Sequence, residues 1–468
     1  MKITFFGAAQ QVTGSKHLIE TNNYKLLLDC GLHQGKRSES NRLNKNLPFL
    51  AKEIDAVILS HAHTDHCGTL PILVRKGFKG KIYCTAATAD IAKLILEDSA
   101  MIQEQDAAYY NRHLKPGEQE IEPIYTKEDV ARTLDYFSPV PYFSQSKKWT
   151  TLNENIRFKF YDAGHILGSA ISLIEIKDEG KTKCVAFTGD LGRKFLPILR
   201  SPEYVDENAQ VLISECTYGS RFHKPMADLE GKIKEIVNAA VRQKSKVMVP
   251  AFSLGRTQEL IYMLHKLADK NEIPSIPIYV DSPLASRITE VFGKYTGDFD
   301  EEFWQDFGEK GESAFVFKNL NVVKSVEESK SINEKPGPFV VIAGSGMMEG
   351  GRILHHLKNN IEDENSMILI TGYQAESTLG RRILEGVSPV RIFGRQYHVK
   401  SKVHTLNELS AHADQRGLLD YIGNTKGLKK LFLVHTETRE EEAFRQVAKK
   451  EYTSLSIEAP TAGQSFEV

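Results

Sequence analysis

Short apolar runs that stop at glycine, serine or histidine set the rhythm of the first half of the chain. Lys2–Phe6, His17–Glu20, Lys25–Asp29 and Ala56–Leu59 each have the length and content of a buried strand. Ala56–Leu59 runs into Ser60, a histidine cluster, and then a helical pattern over Thr69–Lys76. Lys81–Cys84 predicts another strand and Thr88–Gln105 a helix. Thr126-Lys-Glu-Asp129 has the form of a capping box, with Asp in place of Glu or Gln, and predicts a helix through Val130–Phe137. Strands return at Ile156–Tyr161, Ala170–Ile176 and Lys183–Phe187. Strands alternating with helices predict a layered α/β architecture.

From about residue 211 the pattern becomes a repeated strand–helix unit. Val211–Ser214, Lys246–Pro250, Ile276–Asp281, Phe339–Ala343 and Ser366–Thr371 read as buried strands, with helices over Met226–Gln243 and Thr257–Asp269. Continuous apolar strands separated by helices predict a parallel sheet with its own core. Residues 294–335 are charged and show no strand pattern; strands resume at Lys402–Leu406 and Leu431–His435.

With 468 residues the chain has room for two to four domains. Apolar residues at 41% and charged residues at 26% exclude a disordered, collagenous or disulfide-scaffold protein. Lys plus Arg (60) balances Asp plus Glu (61), so any polyanionic partner must be met by a local positive surface. Five scattered cysteines without CxxC spacing point to a reducing compartment, expected to be the cytoplasm. The opening residues lack a signal-peptide apolar core, and no apolar run approaches the roughly 18 residues of a membrane span, so no membrane association is expected.

The chemistry concentrates in His61-Ala-His63-Thr-Asp65-His66, directly after an apolar strand. Three imidazoles and a carboxylate so close together are costly to bury unpartnered. A strand-end loop can aim them at one point, and neutral imidazole with carboxylate suits zinc or a similar divalent ion. The bland alternative is a solvated polar turn. His165, Asp190, Glu215, His412 and His435 also lie after strands or in glycine-flanked loops; each alone reads equally well as a structural histidine, a turn or a surface acid. Two glycine-rich stretches follow strands in the middle region, one carrying Ser345, Gly346 and Arg352, the other Gly372 and Tyr373 before Arg381 and Arg382. Arg256 follows a third such loop. Strand, glycine loop and helix N-terminus can cradle a phosphate, although no Walker A spacing is present and a tight turn is the competing explanation.

Taken together these motifs resemble the metallo-β-lactamase-fold nucleases of the β-CASP group. The resemblance rests on His61-x-His63-x-Asp65-His66, His165, Asp190, then Glu215, Ser-Ala-His412 and Val-His435 in order. It is nearest the prokaryotic relatives of the endonuclease subunit of the pre-mRNA 3′-end cleavage factor. It implies an α/β fold: a metallo-β-lactamase αββα sandwich (1–208 and 393–468) with an inserted β-CASP domain of mainly parallel sheet (209–392). It implies two zinc ions per chain, one held by His61, His63 and His165, the other by Asp65, His66 and His435, with Asp190 bridging. Asp29 matches an early aspartate outside the ligand set. Metal-bound hydroxide would be the nucleophile, His412 the general acid oriented by Glu215, and Asp65 a further catalytic group. Ser345, Gly346, Arg352, Gly372, Tyr373 and Arg256 would bind substrate phosphates. Thr436 stands where relatives more often carry glycine. The KH-type RNA-binding extension of archaeal relatives is expected to be absent. The implied activity is a zinc-dependent ribonuclease that hydrolyses single-stranded RNA as an endonuclease, with DNA as target, 5′→3′ exonuclease action and a homodimer left open. A hydrolase of another ester or thioester and a non-catalytic RNA-binding protein are the alternatives.

Overall fold

The computed structural model describes residues 1–21, 23–35, 37–115, 117–224, 227–308 and 313–468. The chain separates into two compact units. The first contains Met1–Lys194, Ser201–Phe222 and His412–Val468; the second contains Phe195–Arg200 and His223–Ala411.

The first unit holds two seven-stranded sheets. One runs, in spatial order, Gln464–Glu467, Lys2–Gly7, Lys16–Thr21, Tyr24–Leu28, Ala56–Ile58, Lys81–Cys84 and Phe137–Pro139. The other runs Ser456–Glu458, Lys430–Val434, Val211–Glu215, Lys181–Phe187, Ala170–Asp178, Ile156–Asp162 and Thr150–Thr151. Their facing sides share one core: Ile3, Phe5, Leu26, Leu28 and Ile58 meet Phe158, Phe160, Ile174, Phe187 and Ile213. The second sheet's other face buries Leu212 and Leu433 under Leu418, Tyr421 and Phe444 of helices Gln415–Asn424 and Thr438–Glu451. Helices Leu70–Arg75, Ala86–Arg112 and Lys127–Leu134 pack on one another and, through Ala86–Arg112, on the strand Phe137–Pro139. This is the αββα sandwich.

The Thr126–Asp129 capping box is present in both directions. It starts a helix that ends at Leu134, because the chain then turns to pair Phe137–Pro139 with Lys81–Cys84. The expected helix over Val130–Phe137 is therefore shorter at its end.

The second unit is built on a six-stranded sheet in the order Leu320–Val322, Ile278–Val280, Phe339–Ala343, Lys246–Pro250, Met367–Ile370, Lys402–Thr405. Every neighbouring pair in it is parallel. Phe339–Ala343 and Met367–Ile370 are buried at every position, as strands covered on both faces must be. The helix expected from Met226 is seen over Ala227–Gln243; Met226 itself lies outside the described residues. The charged stretch 294–335 does contain a strand, Leu320–Val322. It is a three-residue edge strand with two exposed positions, so it had no apolar pattern to show.

Candidate active site

Topology brings the candidate residues to one edge of the sandwich. Lys181–Phe187, Val211–Glu215 and Lys430–Val434 run parallel in one sheet, so Asp190, Glu215 and His435 emerge from the same side. Ile156–Asp162 is two antiparallel steps away and ends on that side too, delivering His165. The strand Ala56–Ile58 of the other sheet delivers His61; the Ser60 carbonyl accepts from the Ala170 N–H at 2.8 Å, tying the two edges together. His63 precedes the short helix Thr64–Cys67, which carries Asp65 and His66. Two glycines make the approach possible. A Cβ on Gly189 (φ 55°) would lie 2.5 Å from the Ser60 Cβ, and one on Gly31 would lie 1.6 Å from the Asp65 carbonyl oxygen.

The side chains meet as two groups. In the first, His61 Nε2 lies 3.0 Å from His63 Nδ1, and His165 Nε2 lies 3.3 Å from the same atom. Asp190 Oδ2 is 3.4 Å from both His61 Nε2 and His165 Nε2. In the second, Asp65 Oδ2 is 3.3 Å from His435 Nε2 and 4.0 Å from His66 Nε2. Asp190 Oδ1 reaches this group, 3.3 Å from His66 Nε2. Zinc bonds of about 2.0–2.1 Å at tetrahedral angles put neighbouring donors about 3.4 Å apart. The observed spacings, from 3.0 to 4.0 Å, bracket that edge length.

Hydrogen-bond accounting gives the same answer. His66 Nε2 and Asp190 Oδ1 are buried, close and without a hydrogen bond. Burial holds His61 and His165 below the usual imidazole range and brings His63 down to about 3. Neutral imidazoles whose ring nitrogens converge within 3.0–3.3 Å of one another, with a carboxylate among them, fit a shared cation. For Asp190, burial opposes ionisation, but His435, His66 and His61 outweigh it and hold the carboxyl well below its ordinary range.

Residues outside these groups set ring orientation. Asp29 Oδ2 takes His66 Nδ1 at 2.7 Å and the Ser60 hydroxyl at 3.0 Å; its Oδ1 accepts from the Ser60 N–H at 2.8 Å. Ser60 Oγ also lies 3.0 Å from His61 Nδ1. Thr217 Oγ1 meets His435 Nδ1 at 2.9 Å. Such partners fix which nitrogen faces a metal. Ser60 and Thr217 escaped the sequence analysis, although Ser60 directly precedes His61 at a strand end and Thr217 follows Glu215 by two.

His412 forms a third group with Asp190 and Glu215. Its Nδ1 lies 2.9 Å and 3.1 Å from the two Glu215 oxygens. Glu215 is itself held by the N–H groups of Leu191 at 2.7 Å and Thr217 at 3.2 Å. Burial would lower the His412 pKa, but Glu215 outweighs it and raises it to about 9. An imidazolium backed by a buried carboxylate can donate a proton at neutral pH.

The remaining candidates lie in the second unit. Ser345 Oγ accepts from the N–H groups of Glu349 at 3.1 Å and Gly350 at 3.3 Å. Gln374 Nε2 donates to the carbonyls of Gly346 at 3.0 Å and Gly372 at 3.1 Å, binding the two glycine loops together. Tyr373 is half-exposed. Arg352 is paired with the buried carboxylate of Asp281, and Arg256 with Glu259 at 2.8 Å and the Leu409 carbonyl. Both guanidiniums thus have a protein carboxylate as partner, which sequence spacing did not announce. No helix among the described residues is long and apolar enough to cross a membrane.

Comparison with known proteins agrees with this architecture. The Metallo-beta-lactamase superfamily domain matches residues 18–187, the Beta-Casp domain residues 257–383, and the Zn-dependent metallo-hydrolase RNA specificity domain residues 396–460. A ribonuclease of Thermus thermophilus is 37% identical over 93% of this chain and 93% of its own. The transcription termination factor FttA of Methanosarcina mazei is 30% identical over 98% of this chain and 70% of its own. Cleavage and polyadenylation specificity factor 73 of Drosophila melanogaster is 28% identical over 97% of this chain and 62% of its own. The chain therefore belongs to the metallo-β-lactamase superfamily of metallo-hydrolases, in the branch that carries the Beta-Casp and RNA specificity domains.

Proposed function

We propose that the protein is a zinc-dependent ribonuclease that hydrolyses phosphodiester bonds within single-stranded RNA at a two-metal centre. The observation that carries this is the convergence of His61, His63, Asp65, His66, His165, Asp190 and His435, with the His412–Glu215 pair adjoining them. A thioester or lactam hydrolase would need the donors but not the paired acid. Relatives named as a ribonuclease, a transcription termination factor and a cleavage and polyadenylation specificity factor support RNA as substrate.

In this assignment His61, His63 and His165 would hold one zinc and Asp65, His66 and His435 the other, with the two Asp190 oxygens turned to one group each. Two such cations would supply Lewis acidity toward phosphoryl oxygens and activate water for attack near neutral pH. The chain's own residues do the rest. Asp29 and Ser60 keep His66 and His61 turned inward. Glu215 engages His412 Nδ1, so Nε2 is the nitrogen that donates to the leaving 3′-oxygen. Ser345, Gly346, Gly372 and Tyr373, together with Arg352 and Arg256, bind flanking phosphates.

End-labelled RNA incubated with the purified protein tests this. Internal cuts that vanish with chelator and return with zinc are expected. Intact RNA in the zinc-restored reaction would refute the assignment.

A further inference from the structure

Phe252 stands just beyond the strand Lys246–Pro250, at the carboxyl edge of the parallel sheet. It is 44% exposed. A Cβ on Gly346 would lie 2.8 Å from Cδ2, 2.8 Å from Cε2 and 3.1 Å from Cγ of its ring. An edge-on approach would leave Cγ much farther off than the other two. The near-equal distances put Gly346 over the face of the ring. Any side chain at 346 would push the ring away, so the glycine is what seats it. A Cβ on Gly372, in the other glycine loop, would lie 4.0 Å from Cε2.

One face of the ring thus rests on backbone. No aromatic ring or cation contacts Phe252 among the described residues. Its surroundings are polar and small. Ser253 Oγ lies 3.2 Å from Ser282 Oγ, Ser345 follows Gly344 on the next loop, and the Gln374 amide ties the two glycine loops. Open α/β sheets bind ligands in this position, beyond the carboxyl ends of the strands. A protein partner would need about 800 Å² of surface on each side, far more than one ring in a polar frame offers. A flat, half-exposed ring beside hydroxyls and glycine backbone suits a nucleotide, whose base stacks while its phosphate takes hydrogen bonds.

We infer that Phe252, seated on Gly346, is a stacking platform for one nucleobase of the substrate strand. The inference rests on RNA being the substrate. Stacking accepts any base, because every base has a π-face.

The test uses the full-length, zinc-loaded protein. Steady-state RNA cleavage is compared for wild type, Phe252→Ala, Phe252→Leu and Phe252→Trp. Short RNAs, each with one abasic site at a different position, serve as competitors. Phe252→Ala and Phe252→Leu should raise KM about 10-fold, the order of one lost base stack, with most of the loss in KM rather than kcat. Phe252→Trp should restore it. For wild type, one abasic position should weaken competition about 10-fold, and that position should become silent in Phe252→Ala, as coupling between two contacting groups requires. A fold defect would not be specific to one abasic position. Wild-type KM in Phe252→Ala, or the same abasic profile in both proteins, overturns the stacking role and leaves the ribonuclease assignment standing. A wild-type protein that cuts no RNA overturns that assignment and this inference with it.

Discussion

Around Asp281 in the second unit, a buried carboxylate is answered by protein groups alone. It takes the Arg352 guanidinium, the Ser329 hydroxyl at 2.5 Å and His356 Nε2 at 2.7 Å; His356 Nδ1 then meets Asn333 Oδ1 at 3.0 Å, which also accepts from Asn360 at 3.1 Å. Around Asp190 in the first unit, residue types are similar and burial is as deep, yet His66 Nε2 and Asp190 Oδ1 make no hydrogen bond. A polar network that closes on itself holds a fold together. One that leaves donors facing a common point, at the spacing of a coordination shell, is shaped for something the chain does not supply. Burial and residue type do not separate the two cases; the accounting of lone pairs does.

Three substitutions and one pH series probe that contrast. His63→Ala should abolish RNA cleavage and lose bound zinc, read by gel assay and elemental analysis; full zinc content with full activity would remove the assignment. His412→Ala should keep both metals and lower turnover about 10²–10⁴-fold, as expected for losing a general acid. Asp281→Asn should cost about 3 kcal/mol in denaturant unfolding, since it strips one partner from a buried charged network, while metal content stays at the wild-type level. If that substitution also released zinc, the two clusters would not be separable. The smallest effect is in pH. Burial works against ionisation of Asp281, but His356, Ser329 and Arg352 outweigh it and hold its carboxyl below the usual range. A depressed carboxylate stabilises the fold above its unfolded pKa, about 3.9, and loses that contribution as pH falls through the folded value. The stability gap between wild type and Asp281→Asn should therefore be constant near neutrality and shrink below about pH 4.

Much of the first cluster was legible in the sequence because its parts are local. His61, His63, Asp65 and His66 sit within six residues behind an apolar strand, and a strand end can aim alternate side chains together. Joining them to His165, Asp190 and His435 took resemblance, since no spacing rule links residue 66 to residue 435. The physical link is strand order: parallel neighbours put their ends side by side. The second cluster was not legible at all. Arg352 and Asp281 are 71 positions apart, and nothing in either neighbourhood marks the pair. Arg352 reads as a phosphate ligand in sequence because it follows glycines; its pairing with Asp281 is set by the fold and leaves no mark on the spacing. The short strand Leu320–Val322 was hidden for a simpler reason: an edge strand with exposed positions has no apolar signature.

The proposed function depends on two divalent ions sharing the donors at the sandwich edge. Crystals grown with zinc and measured at the zinc absorption edge address it directly. Two anomalous peaks about 3.5–4 Å apart, one ringed by His61, His63 and His165, the other by Asp65, His66 and His435, with Asp190 reaching both, are predicted. No peak among these side chains, or peaks confined to other parts of the chain, would contradict it.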